Sequence, residues 1–214
     1  MKKILLLCFI LVPFWAQADL PFNLSRIKQR LQQYHDSGAY QQDTLNVVNR
    51  AQMYLRNRLI DNQKLKTPRK LAVVFDIDET LLSNYSKMRA SNFGAGGPLT
   101  NNDPVITPTA TLFHFAQRHH VAIFLITGRR QSRHNRQLTM ENLKSVGLRG
   151  WQSLYLKPIA DHHRSAVWFK SSTRRRIERM GYDIVFSMGD QLSDLVGGAA
   201  DMSYKLPNPF YWVP

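Results

Sequence analysis

Cysteine is nearly absent: the 214-residue chain carries one, Cys8. One thiol excludes an intramolecular disulfide. Because Cys8 falls inside a segment that reads as a removable leader, the remaining chain is expected to hold no thiol nucleophile and no sulfur ligand for zinc. That scarcity is compatible with export, since the 196 residues after Ala18 are enough to bury a self-sufficient core. Long apolar runs are missing too. The N-terminal run from Ile4 to Trp15 is twelve residues broken by Pro13, well short of the roughly 20 a membrane-spanning helix needs. Acidic side chains are also scarce, with 15 Asp and Glu against 29 Lys and Arg, a net charge of +14.

What is present at the N-terminus is a secretory pattern: Lys2 and Lys3, the apolar run, then Ala16-Gln17-Ala18 as a small-x-small cleavage site. Cleavage after Ala18 is expected, giving a periplasmic or secreted chain that starts at Asp19. An uncleaved amphipathic anchor is the alternative, and both flanks fit a signal better. Residues 19–214 suit one domain, with helices over 19–65 and an α/β core over 66–214. This mature span carries 27 basic and 15 acidic side chains, a net of +12. Such a surface attracts phosphate esters, nucleotides, nucleic acid or anionic lipid, and charge alone does not choose among them. Ordinary solvation accounts for most of these cations.

Leu24 to Asn62 reads as two helices. Ser25 is a candidate cap for the first, Ser37-Gly38 makes a turn, and the second begins near Thr44 with Leu45, Val48, Ala51, Leu55 and Leu59 at helical spacing. The stretch LAVVFDIDETLLSN, Leu71 to Asn84, organises the rest. Leu71 to Phe75 is apolar throughout, as a strand buried on both faces must be. Side chains alternate along a strand, so Asp76 and Asp78 project together where the run ends. Two close carboxylates resist joint ionisation, which separates a nucleophile from a proton donor. A solvated Asp-rich turn is the plainer reading of a bare DxD.

Residues 84–103 follow, rich in Gly and Asn and without periodicity, a loop or minimal cap in which Tyr85 and Phe93 are equally suited to substrate contact or to packing. Thr107-Pro108 starts a helix with Thr107 as N-cap. His119-His120 at its end diverge and find no third metal ligand. VAIFLI, Val121 to Ile126, is a second buried strand ending in Thr127-Gly128-Arg129, a hydroxyl and a glycine suited to a phosphoryl oxygen. Gln152 to Leu156 is a third, ending at Lys157, and the His162-His163 loop beyond it reads as surface. Lys170 then precedes a helix whose Arg174, Arg175, Arg176 and Arg179 read as a solvated basic face rather than a nucleic-acid reader. Asp183 to Ser187 is a fourth strand, followed by MGDQLSD, in which Asp190 and Asp194 bring hard oxygen ligands of the kind magnesium prefers. Met202 to Lys205 reads as a last strand.

FDIDETLLSN resembles motif I of the haloacid dehalogenase (HAD) superfamily, and more narrowly the class III acid phosphatases, which include plant vegetative storage proteins and bacterial periplasmic enzymes. TGR resembles motif II, Lys170 in VWFKSSTRR motif III in preference to Lys157, and GDQLSDL motif IV. YHDSGAYQQD, TGRRQSRHNRQLTMENL (with Arg129, Arg133, Thr139 and Asn142) and LPNPFYW also follow that family, so the likeness covers roughly Leu24 to Pro214. It implies a doubly wound, mainly parallel α/β sheet with an N-terminal helical appendage. It further implies a magnesium-dependent phosphomonoesterase in which Asp76 attacks phosphorus and Asp78 protonates the leaving oxygen. Thr127 and Lys170 offset phosphoryl charge, while Asp76, the Asp78 backbone carbonyl, Asp190 and Asp194 serve the metal. Gly128, Arg129, Tyr85 and Phe93 are the candidate substrate contacts. The expected substrate is a small phosphate ester such as a nucleotide. A storage or binding protein on the same fold, a basic envelope or nucleic-acid-binding protein, and a phosphotransferase are the rival readings.

Overall fold

Alternating side chains of one central strand face two different cores. In the computed structural model, which describes residues 23–93, 98–161 and 163–213, β1 (Lys70–Phe75) sends Val73 and Phe75 into one hydrophobic cluster and Ala72 and Val74 into another. The expected leader with Cys8 and its cleavage site, residues 94–97 of the glycine-rich segment, and His162 lie outside the described residues.

Around β1 lie β2 (Ala122–Arg130), β3 (Ser153–Lys157), β4 (Tyr182–Gly189) and β5 (Met202–Lys205), in the order β3-β2-β1-β4-β5 with every pairing parallel. Parallel neighbours need crossovers, and the helices supply them on both faces, which is the doubly wound arrangement the alternation predicts. The larger core packs α2 (Ala39–Gln63), α4 (Thr107–Arg118) and α5 (Arg133–Ser145) on one face, through Leu55, Phe113 and Leu143 among others. The smaller packs α6 (Ala166–Arg179) on the other through Phe169 and Ile177. Each fully buried Leu or Phe here contributes about 1.5–3 kcal/mol. The register against β4 slips between Ala72 and Val73, whose partners are Ile184 and Phe186. Val185 is the extra residue, and it joins Phe186 in the larger core.

Several boundaries differ from expectation. Asn23, not Ser25, caps α1 (Leu24–Asp36) by accepting from the Arg26 amide at 3.1 Å. α2 starts at Ala39, directly after the left-handed Gly38, and Thr44 lies inside it, its buried hydroxyl bonded back to the Tyr40 carbonyl. Ile106 is the N-cap of α4, so Thr107 is its first residue. β2 continues past Ile126 to Arg130, because Arg130 still pairs with Lys157 of β3 after a register shift. A short helix, α3 (Tyr85–Ala90), forms within the cap segment. Arg58 and Arg69 both reach Asp183 at the start of β4, at 2.9 and 3.0 Å, which ties the helical appendage to the sheet.

Candidate active site

The carboxyl ends of β1, β2 and β4 open into a cleft of about 660 Å³, the place where ligands sit in open α/β sheets. Asp76 forms its floor immediately after β1, its amide bonded to the Met188 carbonyl of β4 at 3.0 Å. The chain then turns sharply: Thr80, Leu81 and Leu82 all donate to the Ile77 carbonyl, and Glu79 is left-handed at φ 52°. That turn aims Asp76 and Asp78 into the cleft but gives them different partners.

Asp76 is buried and accepts from the Lys170 ammonium at 2.8 Å. Burial, reinforced by the charges of Asp194 and Asp190, pushes its carboxyl well above the usual range despite the attraction of Lys170. Asp78 is gripped by Arg129, from Nε at 2.9 Å and Nη2 at 2.7 Å, and accepts from the Asn84 side-chain amide at 2.9 Å. Burial works against its charge, but the guanidinium outweighs burial and holds the carboxyl below its ordinary value. The two acids are therefore electrostatically distinct.

Lys170 does not precede the helix. It lies in the second turn of α6, buried, and also donates to Asp194, so one ammonium serves two carboxylates. Burial lowers its proton affinity and the two acids more than restore it. Lys157, its sequence competitor, donates to the Arg164 carbonyl at 2.6 Å instead. Asp190 follows β4 and is held by Asn208 at 2.6 Å and Gln191 at 2.5 Å; burial and the neighbouring Asp194 raise its carboxyl to about 6. Asp194 accepts from the Gln191 amide at 2.9 Å. Its carboxylate presses on Gly189, where an added Cβ would lie 2.2 Å from the carboxyl carbon, so only glycine fits.

One oxygen from each of Asp76, Asp190 and Asp194 lies within 4.8 Å of the others. Three buried acids face one buried ammonium, and their donors are hard oxygens. The set fits a divalent cation, which would cancel the remaining negative charge. Asp78 is not part of that cluster; it points its carboxylate to Arg129.

The other predicted residues divide. Gly128 and Arg129 line the cleft, whereas Thr127 is fully buried and its hydroxyl accepts from the Arg129 amide at 3.2 Å. Thr139 receives Arg129 Nη1 at 3.0 Å, and Asn142 clamps both backbone groups of Asp103, at 2.9 and 2.8 Å. Phe93 lines the cleft; Tyr85 does not. Tyr85 is buried, its ring stacked on His35 with centroids 3.4 Å apart, because the N-terminal helices cover it. Arg174 is the clearest correction. Instead of belonging to a solvated face it is 1% exposed, while Arg175, Arg176 and Arg179 are exposed as expected.

Sequence reasoning assigned no role to several site residues. Asn84 ends the motif I string and bonds Asp78. Glu79, fully buried, accepts from the Asn84 amide and from the Tyr40 hydroxyl, and burial raises it to about 8. Lys87 lines the cleft and pairs with the buried Asp103 at 2.7 Å. Residues 210–213 form one wall, fastened where the Val213 amide donates to Gln191 at 3.0 Å. Only the quoted LPNPFYW ending was a signal for that wall.

Comparison with known proteins gives a consistent picture. The family model described as HAD superfamily, subfamily IIIB (Acid phosphatase), matches residues 16–214. Acid phosphatase 1 of Solanum lycopersicum is 33% identical over 150 residues, covering 65% of this chain and 58% of that protein. The chain thus spans under two thirds of that relative. Vegetative storage protein 1 of Arabidopsis thaliana is 29% identical over 188 residues, covering 83% of this chain and 67% of its own. Among solved structures, the class C acid phosphatase from Bacillus anthracis superposes with a TM-score of 0.69 at 22% identity, covering 87% of this chain and 86% of that one. At that identity the likeness establishes the fold.

Proposed function

Because the chain belongs to the acid phosphatases of HAD superfamily subfamily IIIB, we propose that it hydrolyses small phosphate monoesters, nucleotides among them, with magnesium as cofactor. The observation that carries this reading is the division of labour at the cleft floor: Asp76 on Lys170, Asp78 on Arg129. Burial favours the protonated form of Asp76, so its carboxyl must lose that proton before it attacks; beside the Lys170 ammonium it is then a nucleophile whose phosphorylated form keeps a cationic neighbour. Asp78, which rests as an anion on Arg129, first takes a proton from solvent; Asp76 attacks phosphorus, the bond to the ester oxygen breaks, and Asp78 gives that oxygen the proton. Asp78, now a carboxylate, takes a proton from water as the water attacks phosphorus and frees Asp76. Lys170 and Arg129 stand where they can offset charge on the phosphoryl oxygens. Thr127 acts from behind, as the acceptor that orders the Gly128-Arg129 backbone at the cleft wall.

Asp76, Asp190 and the Asp78 carbonyl would hold magnesium, with Asp194 a further or supporting ligand; bound there, the ion would neutralise charge on the transferring group. Export to a periplasm or the medium follows from the leader pattern over residues 1–18. Among the described residues no helix is long and apolar enough to cross a membrane.

Release of p-nitrophenol from p-nitrophenyl phosphate by chain 19–214, with magnesium or EDTA, tests the reading beside Asp76→Asn. Turnover only with metal, abolished in a folded variant, is the expected result. Silence of the wild type from acid to neutral pH with metal supplied would overturn it.

A further inference from the structure

Lys170 and Arg174 lie four residues apart on α6, and so on one face of the helix. Both turn to the segment that carries Asp194. Lys170 takes the Asp194 carboxylate. Arg174 takes the backbone behind it: Nη1 donates to the Asp194 carbonyl at 2.9 Å, Nε to the Gly198 carbonyl at 2.9 Å, and Nη2 to the Val196 carbonyl. The five-residue loop 194–198 is thus wrapped round one buried guanidinium. Arg175 donates to the Gly197 carbonyl at 3.0 Å and the Ser203 hydroxyl to the Leu195 carbonyl at 2.9 Å, and other contacts draw the loop against the domain. The Ser187 hydroxyl of β4 donates to the Asp194 carbonyl at 2.7 Å. Gly197, at φ 92°, lies so close to α6 that a Cβ would sit 2.5 Å from Ser171 Cβ.

Among the described residues no carboxylate is bonded to Arg174. Its polar partners are three carbonyls of this loop, and it is one of the largest fully buried side chains. A cation that is costly to bury is retained where its donors converge on one strip of backbone, and that strip begins at a candidate metal ligand.

We propose that Arg174 is a positioning residue for the metal site. By holding the backbone of loop 194–198 while Lys170 holds the side chain, it sets where the Asp194 carboxylate stands relative to Asp76 and Asp190. This rests on the proposed function only in taking the three-carboxylate cluster as a cation site. Residues that orient a ligand from behind typically account for about 10–100-fold in metal affinity.

The test is calorimetric titration of metal-free protein with magnesium and with manganese, well below each variant's melting temperature. The proteins are wild type, Arg174→Lys, Arg174→Met and Ser187→Ala. Arg174→Met is expected to bind metal about 10–100-fold more weakly, and Arg174→Lys to recover part of the loss. At saturating metal the KM for p-nitrophenyl phosphate should stay within about twofold, which a general loosening of the cleft would not permit. Wild-type metal affinity in a folded Arg174→Met overturns the proposal. Should removal of the guanidinium prevent folding, Ser187→Ala decides, since it takes one neutral donor from the same Asp194 carbonyl. About fivefold weaker binding is expected there, and unchanged affinity overturns the proposal. Failure of wild type to bind either metal would instead refute the cation site itself.

Discussion

Arg129 closes on Asp78 through two hydrogen bonds, 2.7 and 2.9 Å long, so the carboxyl proposed to protonate the leaving group rests as an anion. Its proton must be acquired against the guanidinium. Arg129→Gln removes that opposition, so the Asp78 carboxyl rises toward its ordinary range. A general acid with a higher pKa stays protonated to higher pH. The basic limb of kcat/KM against pH is therefore expected to shift upward in the variant, while the maximum falls about 10–100-fold through lost charge stabilisation. A profile whose basic limb does not move would separate Asp78 from that limb.

Lys170 balances two buried acids, and replacing it with Met leaves both uncompensated. Loss of one partner of a buried ion pair costs about 3–5 kcal/mol. Urea denaturation of Lys170→Met in EDTA at neutral pH is expected to show a deficit of that size. The deficit should shrink as pH falls, because the orphaned carboxyls then take up protons and cease to be buried charges. Turnover should fall at least about a thousandfold.

Glu79 makes the opposite kind of pH statement. Its folded carboxyl is raised by burial from 4.5 to about 8. It binds a proton more tightly when folded, so its contribution is complete below the ordinary value and is lost as pH rises from there through about 8. The full shift corresponds to roughly 5 kcal/mol. Glu79→Gln mimics the neutral form and is expected to gain on wild type progressively across that window, measured by denaturation in EDTA. Equal pH dependence in the two proteins would show that Glu79 folds as an anion.

Phe210 holds the tail wall. It packs on Tyr40, Tyr85 and Phe93 with centroids 5.6, 5.3 and 6.2 Å apart, which joins the N-terminal helices, the cap helix and the C-terminal segment. Phe210→Ala should cost about 3–5 kcal/mol. It should also raise KM for substrates more than it lowers kcat, because the Asp76–Lys170 pair lies on other elements. Thermal denaturation and steady-state kinetics on one preparation check both.

How much of this was legible follows from what each residue answers to. The apolar run before Asp76, the period-2 placement of Asp76 and Asp78, and the order of Thr127, Lys170 and Asp190 after it are local or sequential facts. They are readable because strand alternation and α/β winding are rules of the chain itself. Those rules account for the sheet, its two helical faces and the meeting of the acids at one edge.

The partners of those acids are facts of the folded molecule. Nothing near Asp78 in sequence says that Arg129, 51 residues away, neutralises it, or that Asp76 and Asp194 share Lys170. Arg174 opens a run of three arginines within TRRRIER, where charge alone suggests solvent. α6 is turned so that Phe169 and Ile177 meet the sheet and Lys170 and Arg174 reach the loop after β4, which is why one arginine is buried and its neighbours are not. Tyr85 likewise became packing because the first helix covers it. Sequence by itself determined the elements and the acids at the site. Tertiary structure decided which charge each acid faces, because only packing brings distant side chains within hydrogen-bond reach and takes the water away.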